Sequence, residues 1–170
     1  MPELGRPQRK NLRLSCFDYS GNCAYFITIC VQNRLHLFGE MESTPVGAHL
    51  CVRPHAPEQM VIVWLQEMER KFPGTDVTDY IVMPDHVHFI LFYTAGTVKA
   101  DLPQMIQWFK TQTTNAYIRG VRNGWYLPFD RHLWQRGYYE HVIRNEQDLA
   151  DTRAYIQNNP VQWALRRADT

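Results

Sequence analysis

The stretch VTDYIVMPDHVHFILFY, residues 77–93, joins two runs of β-branched and aromatic residues through a short Pro84-Asp85 break. Such runs favour extended strands, and so short a break between them is typical of a tight antiparallel β-hairpin. Successive side chains of a strand point to opposite faces, so His86 and His88 are predicted to share one face. Two imidazoles held this way can bind a metal ion, although a pair of strand histidines can also be purely structural.

Strand and helix patterns continue on both sides of this β-hairpin. Residues 24–31 predict a strand and residues 35–41 a short return strand. Apolar residues at helical spacing predict a helix from residue 57 to about 72, and a second helix begins near Asp101. Residues 137–143 predict the final strand.

The last helix is predicted to begin after a cap at Asn145 and to end near residue 158, because the residue before Pro160 disfavours helix. The element order is then strand, helix, strand, strand, helix, strand and an extra helix. This order predicts an α+β fold of the ferredoxin-like βαββαβ type, an antiparallel sheet with helices on one face plus a C-terminal helix.

The length of 170 residues predicts one domain, in which residues 1–12 form a flexible arm. No apolar run approaches the roughly 20 residues that span a bilayer, and the N-terminus has no apolar signal segment. We therefore expect a cytoplasmic protein without a membrane partner. In that reducing compartment Cys16, Cys23, Cys30 and Cys51 are expected to be free thiols. Residues 42–56 contain two prolines and a glycine and predict a loop, to which we assign no role.

The formal net charge of +1 does not indicate a partner, but the charges are unevenly distributed. Basic residues crowd the N-terminus and the second half of the chain, whereas many acidic residues fall between Glu58 and Asp79. Separated charge can create a basic face on a nearly neutral protein. Ordinary solvated side chains would give the same pattern.

The last predicted helix carries Tyr155 and Asn159, which are four residues apart and can point at the same place. Tyr155 lies at the edge of an apolar stripe that includes Leu149 and Ile156. A tyrosine at such an edge is often a packing residue, and an asparagine before a proline is often a helix cap. A functional interpretation requires that both lie near His86 and His88.

Four separate stretches resemble the motifs of one family. Residues 83–88, Met-Pro-Asp-His-Val-His, resemble the Met-Pro-Asx-His-x-His motif of the single-tyrosine HUH transposases, in which HUH denotes His, a hydrophobic residue and His. The other family motifs are matched, in the same order, by residues 25–30 with 37–40, by residues 134–146 and by residues 155–160. The chain is identified as a member of this family, most similar to the REP-associated tyrosine transposases.

The resemblance implies an enzyme that nicks and rejoins single-stranded DNA carrying hairpins, through a covalent phosphotyrosine intermediate. It implies Tyr155 as the nucleophile, His86 and His88 as metal ligands, and Asn159 as the third ligand. Oxygen and imidazole donors around an open site suit Mg²⁺ or Mn²⁺. It also implies a ferredoxin-like core. The enzyme would be a monomer or a homodimer.

Single-stranded DNA would need basic and aromatic contacts. Trp108, Trp125, Tyr126 and Trp134 are candidates for stacking on unpaired bases, although aromatic residues of this kind are often core. The predicted DNA-binding residues are Lys110, Arg119, Arg122, Arg131, Trp134 and Arg136.

Two other classes of function fit parts of the pattern. A ferredoxin-like sheet can also be a non-catalytic module that binds single-stranded nucleic acid. A metal-dependent phosphodiesterase could use water in place of the tyrosine. A covalent protein–DNA adduct is expected only of the tyrosine transposase.

Overall fold

The computed structural model describes residues 23–39, 56–94 and 99–168. The elements, in chain order, are β1 (Cys23–Cys30), a 3₁₀ turn (Gln32–Arg34), α1 (Pro57–Lys71), β2 (Thr75–Met83), β3 (His86–Tyr93), α2 (Leu102–Arg122), β4 (Tyr139–Ile143) and α3 (Glu146–Ala168). Asp101 caps α2 through a hydrogen bond accepted from the Gln104 amide, as its position before the apolar stripe predicts. The predicted arm, Cys16, Cys51 and nearly all of the 42–56 loop lie outside the described residues.

The four described strands form one sheet in the order β2-β3-β1-β4. Each neighbouring pair is antiparallel. The predicted ferredoxin-like βαββαβ arrangement is therefore confirmed. The pairing of β1 with β3, the two central strands, places Thr28 opposite His88 and Cys30 opposite His86. This register decides which β1 side chains surround the histidines.

The main core lies between one face of the sheet and the helices α1 and α2. Alternate residues of β1 and β3, including Ile27, Ile29 and Phe89, are fully buried against Leu65 of α1 and Phe109 of α2. Burial of side chains of this size contributes roughly 1.5–3 kcal/mol each. The helical spacing of the apolar residues in α1 and α2 therefore provides the core against which the sheet is fixed.

The helix α3 packs on the opposite face of the sheet. Its buried Ile156 joins a small cluster with Phe26 of β1, Ile90 of β3 and Ile143 of β4. These residues alternate with those of the main core along their strands. One face of the sheet therefore forms the main core with α1 and α2, and the other face carries α3 and the two histidines.

The predicted strand over residues 35–41 is wrong where the structure describes it, since residues 35–39 form no strand. Both edges of β1 are already paired with β3 and β4, so no edge remains for a return strand. Asn33 and Arg34 turn the chain with φ values of 56° and 55°. Phe38 is instead buried, and its amide donates to the carbonyl of Pro84 at 3.1 Å.

The predicted end of the last helix near residue 158 is also wrong, because α3 continues through Pro160 to Ala168. A proline inside a helix removes one hydrogen bond and costs about 3 kcal/mol. Tertiary contacts beyond Pro160 favour the longer helix: the Trp163 ring lies 5.3 Å from that of His36 and 6.0 Å from that of His86. No helix in the described part of the chain is long and apolar enough to cross a membrane.

Candidate active site

His86 and His88 lie at the start of β3 and face α3. They are 7% and 4% exposed, and their Nε2 atoms are 2.9 Å apart. The strand periodicity that places them on one face therefore also brings their ring nitrogens together. Two Nε2 lone pairs this close repel each other unless a proton or a metal ion lies between them.

The outer nitrogen of each ring has a partner that orients it. Asp85 accepts a hydrogen bond from Nδ1 of His86, which leaves the His86 Nε2 atom as the lone-pair nitrogen. Thr28 of β1 places its hydroxyl 2.7 Å from Nδ1 of His88. Such partners fix the tautomer and orientation of histidines that bind metals.

The electrostatic surroundings keep the site in a form suited to binding a cation. Burial, with a further contribution from the charge of His86, lowers the pKa of His88 to about 3, so this imidazole is neutral at ordinary pH. Burial acts to raise the pKa of Asp85. The hydrogen bond from His86 and the charges of His86 and Arg34 outweigh that effect and hold the pKa below its usual value.

The helix α3 brings the remaining two predicted site residues to the histidines. The amide nitrogen Nδ2 of Asn159 is 3.2 Å from Nε2 of His88. The side-chain oxygen Oδ1 of Asn159 would take the same place if the amide group were flipped. The Tyr155 ring is 5.5 Å from the His88 ring and 43% exposed. The four residues that the sequence singles out therefore meet in one place.

A cleft of about 670 Å³ opens over these residues. Its lining consists of Phe26, Thr28, Cys30, Arg34, Asp85, His86, His88, Tyr139, Tyr155, Asn159, Gln162 and Trp163. The walls beside the histidines are aromatic, and Arg34 supplies a positive charge. The cleft can therefore receive a flexible anionic chain with exposed rings, such as single-stranded DNA.

Sequence reasoning missed Thr28, Arg34 and Trp163. The position of Thr28 depends on the register between β1 and β3, which no local pattern reveals. Arg34 reaches Asp85, at 3.2 Å between Nη1 and Oδ2, only because of the left-handed turn after β1. A signal did exist for Trp163, which follows Asn159 by four residues, but Pro160 predicted that the helix had already ended.

The distance between the two histidine nitrogens can be compared with the distance between ligands of a divalent ion. Neighbouring ligands about 2.1 Å from an octahedral ion lie about 3.0 Å apart, which agrees with the 2.9 Å between the two Nε2 atoms. The described residues contain no group of three or more His, Cys, Asp or Glu side chains that could hold a metal. The spacing of the two Nε2 atoms, with the Asn159 amide 3.2 Å from one of them, would suit an ion held by two imidazoles and one amide.

Two of the predicted DNA contacts, Trp134 and Lys110, have structural roles. Trp134 is 5% exposed and its indole nitrogen donates to Oγ1 of Thr113 at 2.8 Å, so its ring offers no free face to a base. The Lys110 ammonium group donates to the carbonyls of Gln135 and Gly137, each at 2.8 Å. Burial leaves Trp134 little surface for contact with DNA, and Lys110 holds the loop that leads to β4.

The other predicted contacts are exposed but do not form one cluster. Arg131 and Arg136 line a groove of about 320 Å³ beside α2. Arg119 and Arg122 lie in the last turn of α2. Among the aromatic candidates, Trp125 is exposed, whereas Trp108 packs between Trp64 and Phe72. DNA contact by these residues stays a prediction.

The fold and the site have clear relatives. Residues 20–159 match the family described as "Transposase IS200 like", and the chain belongs to this family. Its relatives include REP-associated tyrosine transposases. One, from Escherichia coli K12, is 29% identical over 96 residues, which cover 55% of this chain and 50% of the relative.

Two further similarities extend over most of the chain. An uncharacterized protein of Haemophilus influenzae is 31% identical over 178 residues, which cover 94% of this chain and 92% of that protein. A solved structure described as a REP-associated tyrosine transposase bound to a REP hairpin superposes with a TM-score of 0.60 at 24% identity. It covers 95% of this chain and 74% of the other, and at this identity it supports the fold alone.

Proposed function

We propose that this chain cleaves and rejoins single-stranded DNA beside a hairpin, through a covalent link between Tyr155 and a DNA phosphate. The observation that carries this proposal is the position of Tyr155, whose ring lies 5.5 Å from His88 in the cleft that also contains His86 and Asn159. A tyrosine nucleophile beside two candidate metal ligands is an arrangement that suits phosphoryl transfer.

In this proposal His86, His88 and Asn159 would hold a Mg²⁺ or Mn²⁺ ion. Such an ion would neutralise phosphate charge and make the phosphorus more electrophilic. Asp85 and Thr28 hold the Nδ1 side of each imidazole, so that the two Nε2 atoms face each other beside Asn159. The buried, neutral His88 stays available as a ligand over the whole physiological pH range.

The proposed chemical step exchanges one phosphodiester for another. The phenol oxygen of Tyr155 attacks phosphorus, and a new O–P bond forms while the P–O bond to the leaving strand breaks. The phenol proton passes to solvent, and the leaving oxygen takes a proton from solvent to become a hydroxyl. The reverse reaction with a second hydroxyl end rejoins DNA. The covalent link preserves the bond energy that hydrolysis would lose.

Two observations support a hairpin-bearing substrate. A relative with the same fold was solved bound to a REP hairpin. The cleft of this chain is open, and Phe26, Tyr139 and Trp163 line it. Unpaired bases can stack on such rings, whereas a blunt duplex offers none.

The proposal is tested by cleavage of an oligonucleotide taken from the DNA that flanks the gene, a hairpin with single-stranded flanks. We expect cleavage with Mg²⁺ or Mn²⁺ and none in EDTA, while circular dichroism shows the fold retained, because the core does not depend on the ion. His86→Ala and His88→Ala should each abolish cleavage and remain folded. Cleavage that persists in EDTA would contradict the assignment of both histidines.

A further inference from the structure

The helix α3 runs along the cleft, and its side chains mark the two ends of the cleft. Tyr155, Asn159 and Trp163 are spaced four residues apart, so they form one row about 12 Å long. Tyr155 contacts the His88 ring, and Trp163 lies 6.0 Å from the His86 ring. The histidine pair therefore lies between Tyr155 at one end and Trp163 at the other.

The direction of phosphoryl transfer predicts which part of the DNA lies at each end of the cleft. In an in-line displacement the attacking oxygen and the leaving oxygen lie on opposite sides of phosphorus. If phosphorus lies at the histidine pair, attack by Tyr155 pushes the leaving strand away from Tyr155. The nucleotide that carries the leaving oxygen then occupies the end beside Trp163 and His86.

The Trp163 end has the properties of a nucleotide site. The indole of Trp163 is half-buried and lines the cleft. Within the described part of the chain its buried Nε1 atom has no hydrogen-bond partner. A buried donor without a partner costs about 1–3 kcal/mol, and a catalytic role or an ordered water or ion are among the explanations of such an exception.

Arg34 supplies a positive charge at the same end. Its guanidinium pairs with Asp85, the partner of His86, yet the side chain is 56% exposed and lines the cleft. Asn33 and Arg34 both adopt the left-handed backbone region, with φ values of 56° and 55°. Strain of this kind is tolerated where it positions a functional group. Here it directs the guanidinium towards the cleft.

We infer that Trp163 and Arg34 form the binding site for the nucleotide on the leaving side of the scissile phosphate. Trp163 stacks on its base, and Arg34 binds the adjoining backbone phosphate. This inference rests on the proposed function for the direction of attack. It makes Trp163 the ring on which the terminal base of the leaving strand stacks.

The test is an abasic scan of the cleaved oligonucleotide, one position at a time, with affinity and cleavage measured for each. In the wild type an abasic site at the leaving-side nucleotide should weaken binding roughly tenfold, as the loss of one stacked base predicts. In Trp163→Ala that same substitution should change binding less than about twofold, because the stacking is already lost. Trp163→Phe should restore the sensitivity. An abasic site on the tyrosine side should affect all three proteins equally.

Leu165→Ala is the matched control, because Leu165 is an exposed apolar residue of α3 that does not line the cleft. It should keep the wild-type abasic profile. Arg34→Gln should lower the slope of log Kd against log salt by about 0.7, and Arg34→Lys should not. The inference is overturned if Trp163→Ala keeps the full leaving-side sensitivity, or loses the tyrosine-side sensitivity instead.

The scan also separates failure of this inference from failure of the proposed function. A protein that binds the oligonucleotide but never cuts it contradicts the proposed function. The binding scan then still shows whether one base depends on Trp163. If no position loses its abasic sensitivity in Trp163→Ala, the nucleotide site is wrong whether or not the DNA is cleaved.

Discussion

Thr28 lies opposite His88 on the neighbouring strand, with its hydroxyl 2.7 Å from the Nδ1 atom of that histidine. Thr28→Val keeps the shape of the side chain but removes this partner. We expect metal affinity or cleavage to fall about 10- to 100-fold, the usual effect of losing a group that orients a metal-binding histidine. A titration of cleavage rate against Mn²⁺ concentration measures it, and the variant should need more metal for half-maximal rate.

Thr78→Val is the control for this prediction, since Thr78 is a threonine of the same sheet whose buried hydroxyl has no partner within the described residues. Its replacement should leave the metal titration unchanged and the stability equal or slightly higher. A metal dependence in Thr28→Val equal to that of the wild type would show that Thr28 does not orient His88.

The site was only partly predictable at the scale of single residues. The strand period of two pairs His86 with His88 and the helix spacing of four pairs Tyr155 with Asn159, which are local properties, whereas only the family resemblance implied that the two pairs act together. Thr28 and Arg34 depend on strand register and on a left-handed turn, which are properties of the assembled sheet. The aromatic rings show the same limit, because Trp134 looks like a base-stacking residue in the sequence and is buried in the fold.

At the scale of elements, an ion pair links α3 to the strand β2. Besides the small cluster around Ile156, Nε of Arg153 lies 2.9 Å from Oδ2 of Asp79. Asp79 has a φ of 43° and lies where the pairing of β2 with β3 shifts register. Arg153→Gln removes this ion pair between α3 and β2, both ends of which are partly exposed. Such pairs contribute at most about 1 kcal/mol.

The expected result of Arg153→Gln is local. Amide hydrogen exchange in residues 147–158 should become about two- to fivefold faster, while β1 and β3 keep their protection. Arg70→Gln is the matched control, because Arg70 pairs with Glu67 inside α1 and links no two elements. Exchange that rises equally in α3 and in the central strands would show that the helix and the sheet open together.

The lengths of the elements were less predictable than their order. The sequence predicts each long helix and strand, because the apolar spacing is strong over many residues. It cannot predict that α3 passes Pro160, since the ring contacts of Trp163 that favour the longer helix come from distant parts of the chain. The apolar stripe of α3 likewise indicates that one side is buried but not which face of the sheet covers it.

At the scale of the whole molecule, the structure bears on which chain supplies the tyrosine. Two residues separate β4 from α3, which is too short a link to reach far, and Ile156 packs on the sheet of its own chain. We therefore predict that Tyr155 serves the His86–His88 site of the same chain. A mixture of His88→Ala and Tyr155→Phe proteins should then remain inactive on the hairpin oligonucleotide. Cleavage restored in the mixture would establish a dimer with shared sites.

The central claim is that Tyr155 becomes joined to DNA, and the cleft contains a second exposed tyrosine, Tyr139, that could compete with it. The most direct measurement is mass spectrometry of the trypsin-digested protein after reaction with the cleaved oligonucleotide. The account predicts a nucleotide on Tyr155, within the peptide of residues 154–166, and no adduct in Tyr155→Phe. A nucleotide on Tyr139, or cleavage of the DNA without any adduct, would contradict it.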